Sequence, residues 1–126
     1  MIFGDRSLIM NKNEYLDFCG TIAAAVSDTP FEDDAESVVI RHRDTRKWFA
    51  LVMDLNGKTI VNLKCDPMEA DFLRKAYTGI IPAYHMNKTH WNTVFLDSDV
   101  PDEEIIRMTM SSFDLTSKPK PKKKKL

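Results

Sequence analysis

From Tyr15 to Val26 the apolar positions keep helical spacing: Tyr15, Cys19, Ile22 and Val26 recur every three or four residues, with Leu16 and Ala23 beside them. Asn11 stands three residues before Glu14, as in a capping box, so a helix is predicted over 12–27. Asp28-Thr29-Pro30, Phe31 and the acidic run Glu32 to Glu36 end that pattern. The period then changes to two. Val38-Val39-Ile40 opens a strand near 37–43, and Lys47 to Leu55 meets Lys58 to Cys65 across Asn56-Gly57, because a type I′ turn needs positive φ at both central residues. These strands form a three-stranded meander.

Counting outward from a two-residue turn pairs Val52 with Val61, Ala50 with Leu63 and Trp48 with Cys65 on the face expected to meet the core. The other face pairs Phe49 with Lys64, Leu51 with Asn62 and Met53 with Ile60. It is too apolar for free solvent and too polar for a closed core, as in the lining of a cleft.

Asp66-Pro67-Met68-Glu69 is a helix start, with Asp66 as cap and Pro67 where its missing N–H costs nothing. A helix over about 67–77 follows, with Met68, Phe72, Leu73 and Ala76 as its buried stripe and Gly79 as a left-handed stop before Ile80-Ile81-Pro82. Residues 83–92 show neither period, Thr93 to Leu96 reads as a strand, and Asp99 to Glu104 leads into a last helix. Its face is Ile105, Ile106, Thr109, Met110 and Phe113. The order α-β-β-β-α-β-α predicts an α+β fold, an antiparallel sheet with helices packed on it. The domain is expected over 10–116, with an irregular extension at 1–9, Met10 as an alternative start, and a disordered tail at 117–126.

A chain of 126 residues builds its own core, so Cys19 and Cys65 need not form a disulfide. With no CxxC and only His42, His85 and His90, a structural zinc site has little support, and neither metal nor cofactor is expected. No apolar run approaches the roughly 20 residues that span a bilayer, and Asp5 and Arg6 interrupt the start where a signal peptide would be apolar. The expectation is a cytoplasmic protein without membrane association, a monomer or weak dimer.

The net charge of −1 conceals an asymmetry, because six of the 18 basic residues fall in the last nine positions. The remainder holds 12 basic against 19 acidic residues, a net of −7. Any nucleic-acid contact must therefore come from a local patch or from the tail. Arg41, His42, Arg43, Arg46 and Lys47 gather at the turn between the first two strands, where a basic hairpin tip could hold a phosphate backbone, unless it is a solvated turn balanced by Asp44. Lys88 is a further phosphate candidate.

The loop with His85, Asn87, Lys88, His90 and Trp91 offers donors, imidazoles and a flat aromatic, or else a core tryptophan and side chains that satisfy loop backbone. No catalytic constellation emerges. Cys65 is expected to point into the core away from His85, no serine sits on a G-x-S-x-G elbow, and Gly4, Gly20, Gly57 and Gly79 are all isolated.

Arg46 to Met53, Asn62-Leu63-Lys64-Cys65-Asp66-Pro67, Pro82-Ala83-Tyr84-His85-Met86-Asn87-Lys88 and His90-Trp91 together resemble the MmcQ/YjbR family of small bacterial proteins, from about Met10 to Leu115. The resemblance implies a CyaY-like arrangement of sheet and helices. Members are commonly labelled DNA-binding from a proposed double-wing shape, and the tight Asn56-Gly57 turn departs from members with a longer connection there.

Two functions follow as expectations. One is DNA binding through Arg41, Arg43, Arg46, Lys47 and Lys88, with Trp91 or His85 near a base or sugar. The other is binding of a small anionic ligand or a protein partner in a cleft of Asn62, Lys64, Tyr84, His85, Asn87, His90 and Trp91, where Lys64 offsets an anionic group.

Overall fold

Asn11 caps the first helix as its spacing predicts: its side chain accepts from Glu14 N–H while the Glu14 carboxylate takes the Asn11 N–H. The computed structural model describes residues 10–117; the extension 1–9 and the tail from 118 onward lie outside the described residues. The order is α1 (Lys12–Gly20), β1 (Ala25–Asp28), β2 (Val38–His42), β3 (Trp48–Leu55), β4 (Lys58–Lys64), α2 (Pro67–Ala76), β5 (Ile80–Pro82), β6 (Trp91–Phe95) and α3 (Asp102–Leu115). The strands form one antiparallel sheet ordered β1-β2-β3-β4-β6-β5. Helix α1 lies against β1, α3 crosses β3 and β4, and α2 covers β6 and β5. The fold is α+β.

Two short strands escape the sequence reading. The helix predicted over 12–27 stops at Gly20, and Ala25–Asp28 pairs with His42 to Val39 as an edge strand. Its apolar residues fit either period, and the edge of an established sheet decides between them. Likewise Ile80–Pro82 pairs with β6 as the other edge, where Pro82 costs no central ladder bond.

The α2 stripe also needs correction. Ala70 and Leu73 are buried, whereas Met68 is 84% and Phe72 67% exposed, because the helix turns its small face to the sheet. Nor is Gly79 a left-handed stop: Tyr77 ends the helix in extended conformation, and the glycine is needed because a Cβ there would collide with the Ser98 side chain.

The hairpin register holds from Leu55↔Lys58 to Ala50↔Leu63 and then breaks. Ile40 pairs with Ala50 but Arg41 with Trp48, a β-bulge that leaves Phe49 without a partner on β2. The expected pairs Trp48–Cys65 and Phe49–Lys64 are therefore absent. Phe49 is fully buried against His42, ring centroids 5.3 Å apart, and Phe113 of α3 at 5.0 Å, while Trp48 turns to the opposite face. Ser112 of α3 fills the gap: its hydroxyl donates to the Phe49 carbonyl at 2.6 Å and accepts from the Lys64 N–H at 2.9 Å.

The core on the helix face gathers Tyr15, Ile40, Phe49, Val52, Val61, Leu63, Leu73, Val94 and Ile105. Tyr15 donates to Thr109 at 2.8 Å, joining α1 to α3, since the Thr109 hydroxyl is itself spent on the Ile105 carbonyl. Burial holds the Tyr15 hydroxyl well above its ordinary pKa. His42, 4% exposed, bonds the Thr116 hydroxyl at 2.8 Å and stacks on Phe113.

Ser112→Ala leaves the Phe49 carbonyl and the Lys64 N–H without that partner, and is expected to cost about 2 kcal/mol. Urea denaturation reads this as a lower midpoint at unchanged slope; a variant as stable as the parent would mean that other contacts hold the bulge. A second expectation concerns pH. Desolvation holds His42 below its ordinary 6.5, against the opposing pull of Asp44. The folded chain thus takes up this proton less readily than the unfolded one, so the contribution is full above pH 6.5 and declines as pH falls below it towards the folded value. Asp34 and Asp99 are pulled below 3.8, the first by the Ser37 hydroxyl and the second by the Thr78 and Gly79 N–H groups, and lose their contributions only as pH falls through that lower range. Denaturation midpoints of His42→Gln should lose the decline just below pH 6.5 and keep the acid one.

Candidate functional site

The sheet face away from the helices is not left to solvent. Val39, Leu51 and Ile60 point there and are at most 7% exposed, because two irregular segments lie over them, residues 29–37 before β2 and 83–90 between β5 and β6. Alternation along the strands puts Arg41, Trp48, Met53, Asn62, Lys64, Trp91 and Thr93 on the same face.

Each segment is fastened by polar groups. Asn62 is fully buried and donates to the Tyr84 carbonyl at 3.2 Å, Thr93 donates to the Asn62 side-chain oxygen, and the Tyr84 N–H donates to Thr93 at 2.8 Å. Both backbone groups of Tyr84 are thereby met. Asn87 accepts from the N–H groups of Thr89 at 2.9 Å and His90 at 3.0 Å, and Lys88 Nζ donates to the Ala83 carbonyl at 2.7 Å. From the helix side, Arg74 reaches the Asn92 side chain at 2.7 Å and the carbonyls of Lys88 and Trp91. In the first segment Asp34 accepts from the N–H groups of Glu36 and Ser37 at 3.1 Å each and from the Ser37 hydroxyl.

Between the two segments runs a groove of about 370 Å³, floored by Leu51 and Met53 and walled by Phe31, Trp48, His85 and Met86, with Asp34 and Ser37 at one end. Phe31 meets Trp48 edge-on, ring centroids 6.0 Å apart. His85 stands at φ 65°, a left-handed conformation that His adopts more readily than most side chains, with its ring centroid 4.0 Å from that of Tyr84.

The cleft residues expected from sequence therefore divide. Asn62, Asn87 and the Tyr84 backbone build the loop, His85 enters the groove wall, and Lys64 and Trp91, both half-buried, are cross-strand neighbours on the same sheet face without lining the groove. His90 is exposed, and its carbonyl accepts the Cys65 N–H at 2.8 Å. Phe31, Asp34, Ser37 and Met86 were missed, since a lone aromatic in an acidic turn segment has no period; Leu51 and Met53 were signalled by the mixed character of their face.

The basic turn is also partly engaged. Arg41 pairs with Asp28 at 3.0 Å and lies 5.7 Å over the Trp48 ring, and Arg43 donates to the carbonyls of Ala23 and Ala25 along the β1 edge. His42 is buried, while Arg43, Asp44, Arg46, at φ 68°, and Lys47 are exposed at the turn. Both thiols are buried, and desolvation pushes each up to about 11, where little thiolate exists at neutral pH.

Residues 21–115 match the family model YjbR. The chain is 36% identical over 99 residues to the uncharacterised protein YyaQ of Bacillus subtilis, covering 71% of this chain and 83% of that one. It is 31% identical over 104 residues to the uncharacterised protein YjbR of Escherichia coli K12, covering 82% and 85%. Among solved structures, a crystal structure of a Pseudomonas syringae protein superposes with a TM-score of 0.79 at 38% identity, over 85% of this chain and 99% of that one. The Deinococcus radiodurans protein DR2400 gives 0.77 at 28%, over 90% and 83%. The chain belongs to the YjbR family.

Asn62→Leu removes the donor to Tyr84 and the acceptor of Thr93 at constant size. It is expected to cost about 2 kcal/mol and to speed amide exchange across residues 83–90 while the β3–β4 ladder stays protected. Unchanged exchange in 83–90 would mean that Asn62 does not hold the segment.

Proposed function

We propose that the chain is a non-catalytic binding protein of the cytoplasm, and that the groove between its two loop segments receives a small, flat, largely apolar molecule. The observation that carries this reading is the groove itself: Trp48, Leu51 and Met53 line an open slot of about 370 Å³ on a face whose neighbouring residues are buried. That volume lies in the roughly 300–1,000 Å³ range of small-molecule sites. Satisfied loop backbones on a rigid sheet keep the slot open without a ligand, which lowers the ordering cost of binding.

The non-catalytic part rests on chemistry. Cys19 and Cys65 are protonated and enclosed, and no hydrogen bond joins His85 or His90 to a carboxylate among the described residues. DNA binding draws less support, because Arg41 and Arg43 are committed to the sheet edge and the chain before the tail carries a net −7. No helix of the described residues is long and apolar enough to cross a membrane. The three-helix, one-sheet order is in keeping with the CyaY-like arrangement implied by the resemblance, which brings no ligand with it.

The test is amide chemical-shift mapping with phenylnaphthylamine, a neutral aromatic probe, beside anisotropy of random duplex DNA with a chain ending at Thr116. Shifts centred on Trp48, Met53, His85 and Met86, with no salt-dependent DNA binding by the shortened chain, are expected. Shifts elsewhere, or none, overturn the groove. Duplex binding that survives truncation with a salt slope of several phosphates gives the function to nucleic acid instead.

A further inference from the structure

Resting on the groove reading, we infer that the ligand is a planar anion whose negative end lies at Lys64, between Trp48 and Trp91, with its apolar body running along β3 towards Met53. The bulge makes this arrangement. By turning Trp48 outward it puts two cation–indole pairs on one face, Arg41 with Trp48 across β2 and β3 and Lys64 with Trp91 across β4 and β6, on either side of the break in the β3–β4 ladder. Cross-strand neighbours on one face stand about 5 Å apart at Cβ.

The charges of the two pairs are not equivalent. Arg41 is already paired with Asp28 and lies over Trp48. The ion pairs of the described residues otherwise involve Lys12, Lys75 and Arg107. Lys64 is half-buried with neither an acidic partner nor a side-chain hydrogen bond among the described residues, and the indole N–H groups of Trp48 and Trp91 likewise have no protein acceptor. An ammonium and two indole donors on one sheet face, each without an acceptor among the described residues, match a carboxylate, sulfonate or phosphate carried on a ring whose body lies in the neighbouring groove.

The opposite end carries the opposite sign. Asp34 and Ser37 precede β2, and Val38 pairs with Val52, so they stand at the Met53 end of the groove. Asp34 is held ionised by the Ser37 hydroxyl and by N–H groups of its own turn. From Trp48 to Met53 a strand runs about 17 Å, so the groove has a basic end and an acidic end. An anion inserted the other way would meet Asp34.

Two probes that share one skeleton separate this inference from the reading beneath it. Anilinonaphthalene sulfonate carries the anion and phenylnaphthylamine lacks it; both are titrated by fluorescence into the parent chain, Lys64→Met, Lys64→Arg and, as a distant cation control, Lys58→Met. The parent and K58M are expected to bind the sulfonate about tenfold more tightly than the neutral probe. K64M should lose that preference at unchanged neutral-probe affinity, and K64R should restore it, with urea midpoints showing that each variant is folded. Equal affinity of the parent for both probes, or a preference that persists in K64M, overturns the anion site and leaves the groove standing. Failure of both probes to bind the parent overturns the groove and the anion site together.

Discussion

A single serine hydroxyl sets the geometry on which both faces of the sheet depend. In a hairpin with a two-residue turn, the pairs at Leu55–Lys58, Met53–Ile60 and Leu51–Asn62 exchange backbone hydrogen bonds, and Phe49–Lys64 would come next. Ser112 from α3 stands in that place and takes the two groups of one of those bonds, the Phe49 carbonyl and the Lys64 N–H. The Phe49 carbonyl and the Lys64 N–H thus keep a partner where the ladder is interrupted, and left unmet each would cost about 1–3 kcal/mol. The extra residue on β3 then lets Phe49 join the helix-side core with His42 and Phe113, and lets Trp48 face the groove. Core and site are two outcomes of one bulge.

This bulge also marks where the sequence ceases to be legible. Up to Ala50–Leu63 the register follows from Asn56-Gly57 and alternation, as do the caps at Asn11 and Asp66 and the central helices and strands. Beyond that pair, Phe49 and Trp48 exchange faces because a residue 63 positions away enters the ladder, and no local pattern encodes such a contact. The two short edge strands fail for a related reason, since pairing with a sheet already formed outweighs weak local preference. For α2, Met68 and Phe72 suited a buried stripe by hydrophobicity, but the space over β6 and β5 admits the smaller Ala70 and Leu73 face.

The candidate site was legible in kind more than in detail. Leu51 and Met53 opposite Asn62 and Ile60 already mark a face unsuited to solvent or to a sealed core, and His85 falls in the irregular segment that borders the groove. What covers that face could not be read, because segments 29–37 and 83–90 take their shape from particular hydrogen bonds. Asp34 with Ser37 and Asn62 with Thr93 and Tyr84 do for these segments what a ladder does for a strand. Polar residues that look like ligand contacts in sequence are often spent in this way. Asn62 and Asn87 are two cases, whereas the Lys64 and Trp91 side chains make no such bond among the described residues.

The same distinction governs the arginines of the β2–β3 turn. A sheet of six strands has two exposed edges, and each is closed by its own device: Pro82 lies in β5, while the Arg43 guanidinium folds over β1 onto the carbonyls of Ala23 and Ala25. Arg41 fastens the same edge strand through Asp28. Positive charge in an acidic chain suggests a polyanion partner when residues are counted along the sequence, but here much of it neutralises backbone dipoles and a carboxylate within the fold. A cation already shared among fixed protein acceptors must give up those contacts to bind phosphate, so its contribution to an external polyanion is reduced. An unshared cation loses no such contact when an anion arrives, and this distinguishes Lys64, paired across strands with Trp91, from Arg41 and Arg43, leaving Arg46 and Lys47 as the unshared cations of the turn among the described residues.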